Sequence, residues 1–149
     1  MIRGIRFKIP NGYQCILGII TKNVNIEKYF WYDVESKDQV FNNNFEFFFD
    51  NTYYDGKTFS KLINSIDYYV IFIKLQAHNT DDMSEINSYG EFLKSNCEMM
   101  FFIVDGIFVD IYAKYKNIIE TIKLNAQKND FTEIEYITNE NDGMAWDWQ

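Results

Sequence analysis

The sequence predicts an α+β domain, a largely antiparallel or mixed β-sheet with helices packed mainly on one face. Three observations predict it. Segments alternating with period two and segments with helical spacing follow one another irregularly, without a repeating βαβ rhythm. Asp105-Gly106 separates two β-rich runs, the signature of a two-residue hairpin and so of antiparallel pairing. The strongest helical stripe, Tyr115 to Lys128, is apolar on one side only, as expected of a helix laid over a sheet.

The elements follow in order. Arg3 to Ile9 alternates, with Ile5, Phe7 and Ile9 on one face of a half-buried strand that Pro10-Asn11-Gly12 ends. Tyr13 to Ile20 reads as a short helix with Ile16, Leu17 and Ile20 inward, weakened by Gly18. Tyr29 to Val34 reads as a strand. After the Asn42-Asn43-Asn44 loop, Phe45 to Phe49 reads as another. Asp55 to Ser65 carries Phe59, Leu62, Ile63 and Ile66 at helical spacing. Asp67 to Gln76 holds a continuous apolar run and reads as a central strand covered on both faces.

His78 to Asn87 is a polar loop. Ser88 with Glu91 forms a capping box opening a helix through Lys94, with Phe92 and Leu93 facing the core. Cys97 to Val104 is a second central strand. Asp105 and Gly106 both take positive φ in the expected turn. On the return strand, Ile107, Val109 and Ile111 share one face and Phe108, Asp110 and Tyr112 the other. Tyr115, Ile118, Ile119, Ile122 and Ala126 line the inner side of the last helix, which Asn129 closes as a left-handed cap. Phe131 to Ile137 is the final strand, with Glu133 and Glu135 on its wet face.

One domain is expected over residues 1–149, with 139–149 as a C-terminal tail. In that tail Trp146 and Trp148 are spaced by two, so an extended segment presents both rings on one side and Asp147 on the other. The tail is expected to fold back with its indoles on apolar surface. The competing reading is an exposed recognition element.

Composition narrows the function. At 149 residues and 47% hydrophobic, the chain has the material for a core without metal or disulfide. Cys15 and Cys97 form no CxxC and read as buried hydrophobes. The Met1 to Phe7 alternation reads as a strand and not a signal peptide, so a cytoplasmic location is expected. A net charge of -8 with scattered Lys and Arg disfavours nucleic acid and anionic membrane and permits a basic protein partner.

No phosphate-binding glycine motif, GxSxG or HExxH occurs, and no cofactor or metal is expected. Asn139 to Gly143 does not make a calcium loop, because Thr138 and Gln149 would fall where carboxylates are required. His78 and Cys97 are the one available nucleophile–base pair; the plainer alternative is a solvent-facing histidine and a core cysteine. The acidic loop patch Asp81, Asp82 and Glu85, together with Trp146 and Trp148, supplies the candidate partner-binding residues. Tyr29 to Tyr32 and Tyr53-Tyr54-Asp55 are aromatic clusters that serve either a core or an interface.

The segments "RGIRFKIPN", "YYVIFIKLQAH", "YGEFLKSNCEMMFFIVD" and "EYITNEND" resemble a family of small proteins of spore-forming Gram-positive bacteria known as a domain of unknown function. The resemblance implies a bacterial cytosolic setting and carries no catalytic residues. The residues favour a non-enzymatic binding protein with an acidic, aromatic surface, similar in outline to immunity proteins or regulators. The alternatives are a small-molecule domain or enzyme with a Tyr/Trp/carboxylate pocket, and a regulator that dimerises through a strand edge.

Overall fold

The computed structural model describes residues 1–143. Strands β1 (Ile2–Lys8), β2 (Phe30–Asp33), β4 (Tyr53–Tyr54), β6 (Ile73–His78), β7 (Cys97–Val104), β8 (Phe108–Ala113) and β9 (Thr132–Thr138) form one sheet in the order β4-β2-β6-β7-β8-β1-β9. Every pairing in it is antiparallel. A second sheet pairs β3 (Val40–Asn42) with β5 (Tyr68–Val70). Helices α1 (Ile16–Ile20), α2 (Gly56–Ser65) and α4 (Lys116–Lys128) bury their apolar stripes on one face of the large sheet. The α+β prediction holds, with helices mainly on one side.

That helix-covered face contains the main core. Ile5 and Phe7 of β1 meet Leu75 of β6, Phe101 of β7 and Ile111 of β8, over Leu17, Phe59, Ile63 and Ile122. Trp31 is its centre. Its ring stacks on Phe59 at 4.3 Å and meets Phe101 edge-on, and its Nε1–H donates to the Ile26 carbonyl at 3.0 Å. The buried indole thereby keeps its one donor satisfied.

The far face carries the alternate residues of the same strands. Cross-strand partners line up as Lys74, Phe102, Asp110, Arg6 and Glu135 in one row. Gln76, Met100, Tyr112, Gly4 and Ile137 form the next. Gly4 is required there because a Cβ would collide with the Ile111 carbonyl of β8. Half of this face lies beneath a strap, residues 79–88 followed by α3 (Tyr89–Lys94), whose Ile86 and Phe92 pack on Cys97, Met100, Phe102 and Tyr112. The expected cap is present in its Ser88 half: the Ser88 hydroxyl accepts from Glu91 N–H at 3.1 Å, while Glu91 Oε2 accepts from Asn87 N–H at 3.4 Å, one residue before the N-cap.

Several expectations are corrected. Phe45 to Phe49 is not a strand. The Asn42 side chain accepts from the N–H groups of Asn44 and Glu46, and Phe45 takes φ 61°, so the segment opens in a turn and pairs back only at an isolated bridge, Phe47 with Phe41. The strand of that region is Val40–Asn42 instead. Asp67 to Gln76 is split between the two sheets, because Ile71 leaves the strand to accept from Gly106 N–H at 2.9 Å. Asp105 and Gly106 do take positive φ, 57° and 67°, but pairing resumes at Val104 with Phe108, so Ile107 belongs to the connection. Leu93 points outward at 49% exposure. The left-handed residue after α4 is Asp130, not Asn129.

Candidate functional site

The end of β6 places a polar column, Lys74, Gln76 and His78, beneath the strap. All three are buried. The Gln76 Oε1 accepts from Ile86 N–H at 2.8 Å, and its Nε2 donates to the Ser84 carbonyl at 2.8 Å. The strap therefore fixes the orientation of the amide. Its remaining N–H is directed at His78 Nε2, 2.8 Å away, which must accept. His78 is thus a neutral ring with its proton on Nδ1. Burial, aided by the charge of Lys114, pulls its pKa down to about 4. The Lys74 ammonium donates to Asn87 Oδ1 at 3.3 Å and faces Glu85 at 3.7 Å.

His78 is not the solvent-facing loop residue of the plainer reading, because it ends a central strand at 1% exposure. It is register-paired with Cys97, as the nucleophile reading requires. The chemistry differs from what a nucleophile needs. The Cys97 Sγ donates to the Met99 carbonyl at 3.1 Å, and burial pushes its pKa up to about 12. A neutral thiol beside an imidazole committed to an amide has no thiolate to offer.

The acidic loop lies elsewhere. Asp81 and Asp82 sit with Met83 across a shallow hollow from Phe30, Tyr53, Tyr54 and Asp55. Tyr53 is exposed and stacks on Tyr32 at 4.9 Å. Tyr54 is buried, its hydroxyl accepting from the N–H groups of Asp50 and Asn51. Asp55 caps α2, accepting from Thr58 N–H at 2.8 Å, which lowers its pKa. Two clusters seen separately in the sequence are thereby joined. Glu85 is drawn away toward Lys74 and does not line the hollow. Trp146 and Trp148 lie outside the described residues.

A concavity of about 630 Å³ lies on the open half of the far face, and sequence reasoning missed it. Phe102, Val104, Phe108 and Ile134 supply its apolar lining. Arg6 crosses it, donating from Nε and Nη2 to Asp110 at 2.8 and 2.9 Å and from Nη1 to Glu135 at 3.3 Å. Those bonds, the Asp110 pair foremost, raise the Arg6 pKa above its ordinary value. Lys8 pairs with Glu133 at 2.6 Å over the Phe108 ring. The available signal was alternation: Arg6 and Lys8 oppose Ile5 and Phe7, and Glu133 and Glu135 recur at the same period. Neither His78 nor Cys97 lines this trough. Among the described residues no group of three or more His, Cys, Asp or Glu is placed to hold a metal. Among them, too, no helix is long and apolar enough to cross a membrane.

The family described as "Protein of unknown function (DUF2691)" matches residues 2–145. The chain belongs to this family. It is also 37% identical over 146 residues, 95% of each chain, to "Uncharacterized protein YncE" of Bacillus subtilis (strain 168). No solved structure matches it. Membership in DUF2691 agrees with the resemblance to a domain of unknown function read from the sequence, and assigns no activity.

Proposed function

We propose that this DUF2691 protein is a non-enzymatic binding protein, and that the hollow at Asp81 and Asp82 receives a basic segment of a protein partner. The observation that carries the reading is the composition of the hollow's lining. Asp55, Asp81 and Asp82 converge beside the exposed Tyr53 ring, and no cation is among the lining residues. A Lys or Arg side chain entering there meets carboxylates and an aromatic face that attracts cations. The net charge of -8 favours approach of such a partner. This is the chemistry of an immunity-type or regulatory protein in a cytoplasmic setting. It asks nothing of Glu85.

The test is calorimetric titration of a Lys/Arg-rich peptide into the intact protein, beside affinity capture from the native host. Binding is expected to weaken about tenfold or more in high salt, where charges are screened within a few ångströms. Asp81→Asn combined with Asp82→Asn is expected to abolish it at unchanged melting temperature. If the double variant captures the same partners as the parent, the hollow is not the interface.

A further inference from the structure

We propose that the trough on the far face binds a small organic cation with an apolar body, an aromatic or aliphatic amine. The site is separate from the acidic hollow and does not depend on it. Its volume, about 630 Å³, is that of a small-molecule site, and its floor is apolar with a few charged groups converging on it. Phe102 and Val104 come from β7, Phe108 from β8 and Ile134 from β9. The Phe108 ring is 46% exposed, so apolar surface is on offer to a ligand.

A bulge in β9 gathers the rim. Arg6 pairs with Glu135 and Lys8 with Thr132, so β9 carries one residue more than β1 between those pairs, and Glu133 takes φ 52° there. Strict alternation would send Ile134 to the side opposite Glu133 and Glu135. At the bulge all three line the trough.

Charge selects the occupant. Carboxylates outnumber cations along the lining: Asp105, Asp110, Glu133 and Glu135 against Arg6 and Lys8. Both cations are already engaged, Arg6 by Asp110 through two bonds and Lys8 by Glu133 at 2.6 Å. An anionic ligand would have to displace one of those carboxylates. Asp105 is exposed in the turn and makes no hydrogen bond or ion pair among the described residues. It follows directly on the Val104–Phe108 pair. An ammonium group meets the Asp105 carboxylate without displacing anything, while the apolar body attached to it covers the Phe108 ring. A second copy of the chain laid face to face would bring two negative rims together, which like-charge repulsion opposes.

Titration of the intact protein with 4-phenylbutylamine, followed by amide chemical shifts, tests this against two probes of the same shape, 4-phenylbutanol and 4-phenylbutyrate. The amine is expected to move the signals of Val104, Asp105, Phe108 and Ile134. It should bind about threefold to fivefold more tightly than the alcohol, the range of a solvent-exposed ion pair, and the carboxylate should bind weakest. Asp105→Asn puts a residue that tolerates φ 57° in the turn and is expected to bring the amine down to the level of the alcohol. Asp38→Asn, exposed on the β2–β3 connection, removes the same charge and is expected to change nothing. Phe108→Ser should weaken amine and alcohol alike; if it fails to fold, Val104→Ser makes the same demand from the neighbouring strand. Trough signals that do not move, or equal affinity for amine and alcohol, overturn the proposal. So does a dimer in sedimentation equilibrium that Phe108→Ser dissociates, which would give this face to a second copy.

Discussion

Under the strap, the Gln76 side chain is held by main chain. Gln76 holds the Ser84 carbonyl and the Ile86 N–H with opposite ends of one amide. Along the same strands, in the trough, Arg6 is held mainly by side chains, those of Asp110 and Glu135, with one bond to the Asn141 carbonyl. The two regions share a sheet face and differ in what completes it. Main-chain partners come with the fold and cannot be exchanged for a ligand. Side-chain partners on an open face can be, because another donor or acceptor can replace them at little cost in packing. The difference marks the strap as architecture and the trough as the half of the face whose polar partners are open to exchange.

The largest test of that contrast is Gln76→Leu. It strands the Ser84 carbonyl and the Ile86 N–H under the strap, and leaving buried groups unpaired is expected to cost about 3 kcal/mol. Urea denaturation gives the loss, and hydrogen exchange should localise it to residues 79–88. An exchange pattern unchanged there would mean that the strap is held by Ile86 and Phe92 alone.

Next in size is the response to acid. The His78 pKa in the fold, about 4, lies below its ordinary value of 6.5, because the ring is buried and Lys114 is near. The unfolded chain therefore takes up the proton first. Stability from this group is full above pH 6.5 and is lost as pH falls through 4, by about 3 kcal/mol in all. Urea midpoints across that window should fall in the parent and fall less in His78→Gln, which has no ring to protonate. Equal slopes in both would assign the acid sensitivity elsewhere.

The smallest effect belongs to the open half. Asp110→Asn leaves Arg6 with Glu135 and the Asn141 carbonyl. The pair is partly exposed, so the cost should be about 1 kcal/mol and should shrink in high salt. A loss as large as that of Gln76→Leu would erase the distinction between the two halves.

What the sequence disclosed follows the range of the interactions involved. The Ser88–Glu91 cap, the Asp105-Gly106 turn and the α4 stripe were legible because each is decided within a few residues. Phe45 to Phe49 was misread for a local reason of a different kind: aromatic content favours a strand, but the Asn42 side chain took the backbone N–H groups first. The break at Ile71 could not be seen, since its cause is the N–H of Gly106, in a distant hairpin. The acidic loop was visible as a patch, while its meeting with Tyr53 and Asp55 depends on how β2 and β4 lie against the strap. The trough is the least legible part. Its Arg6, Asp110 and Glu135 come from three strands, and nothing in any one of them announces the other two.

The position of β1 bears on how the molecule is made. It lies between β8 and β9, and Arg6 finds Asp110 104 residues away. During synthesis β1 leaves the ribosome long before either neighbour exists. The hairpins β6–β7 and β7–β8 can close among themselves, while β1 must wait with both backbone edges unpaired and its apolar face bare. Contacts this distant in sequence slow folding toward the millisecond-to-second range. The interval before β1 inserts is the stage at which the nascent chain is most open to mispairing with another copy.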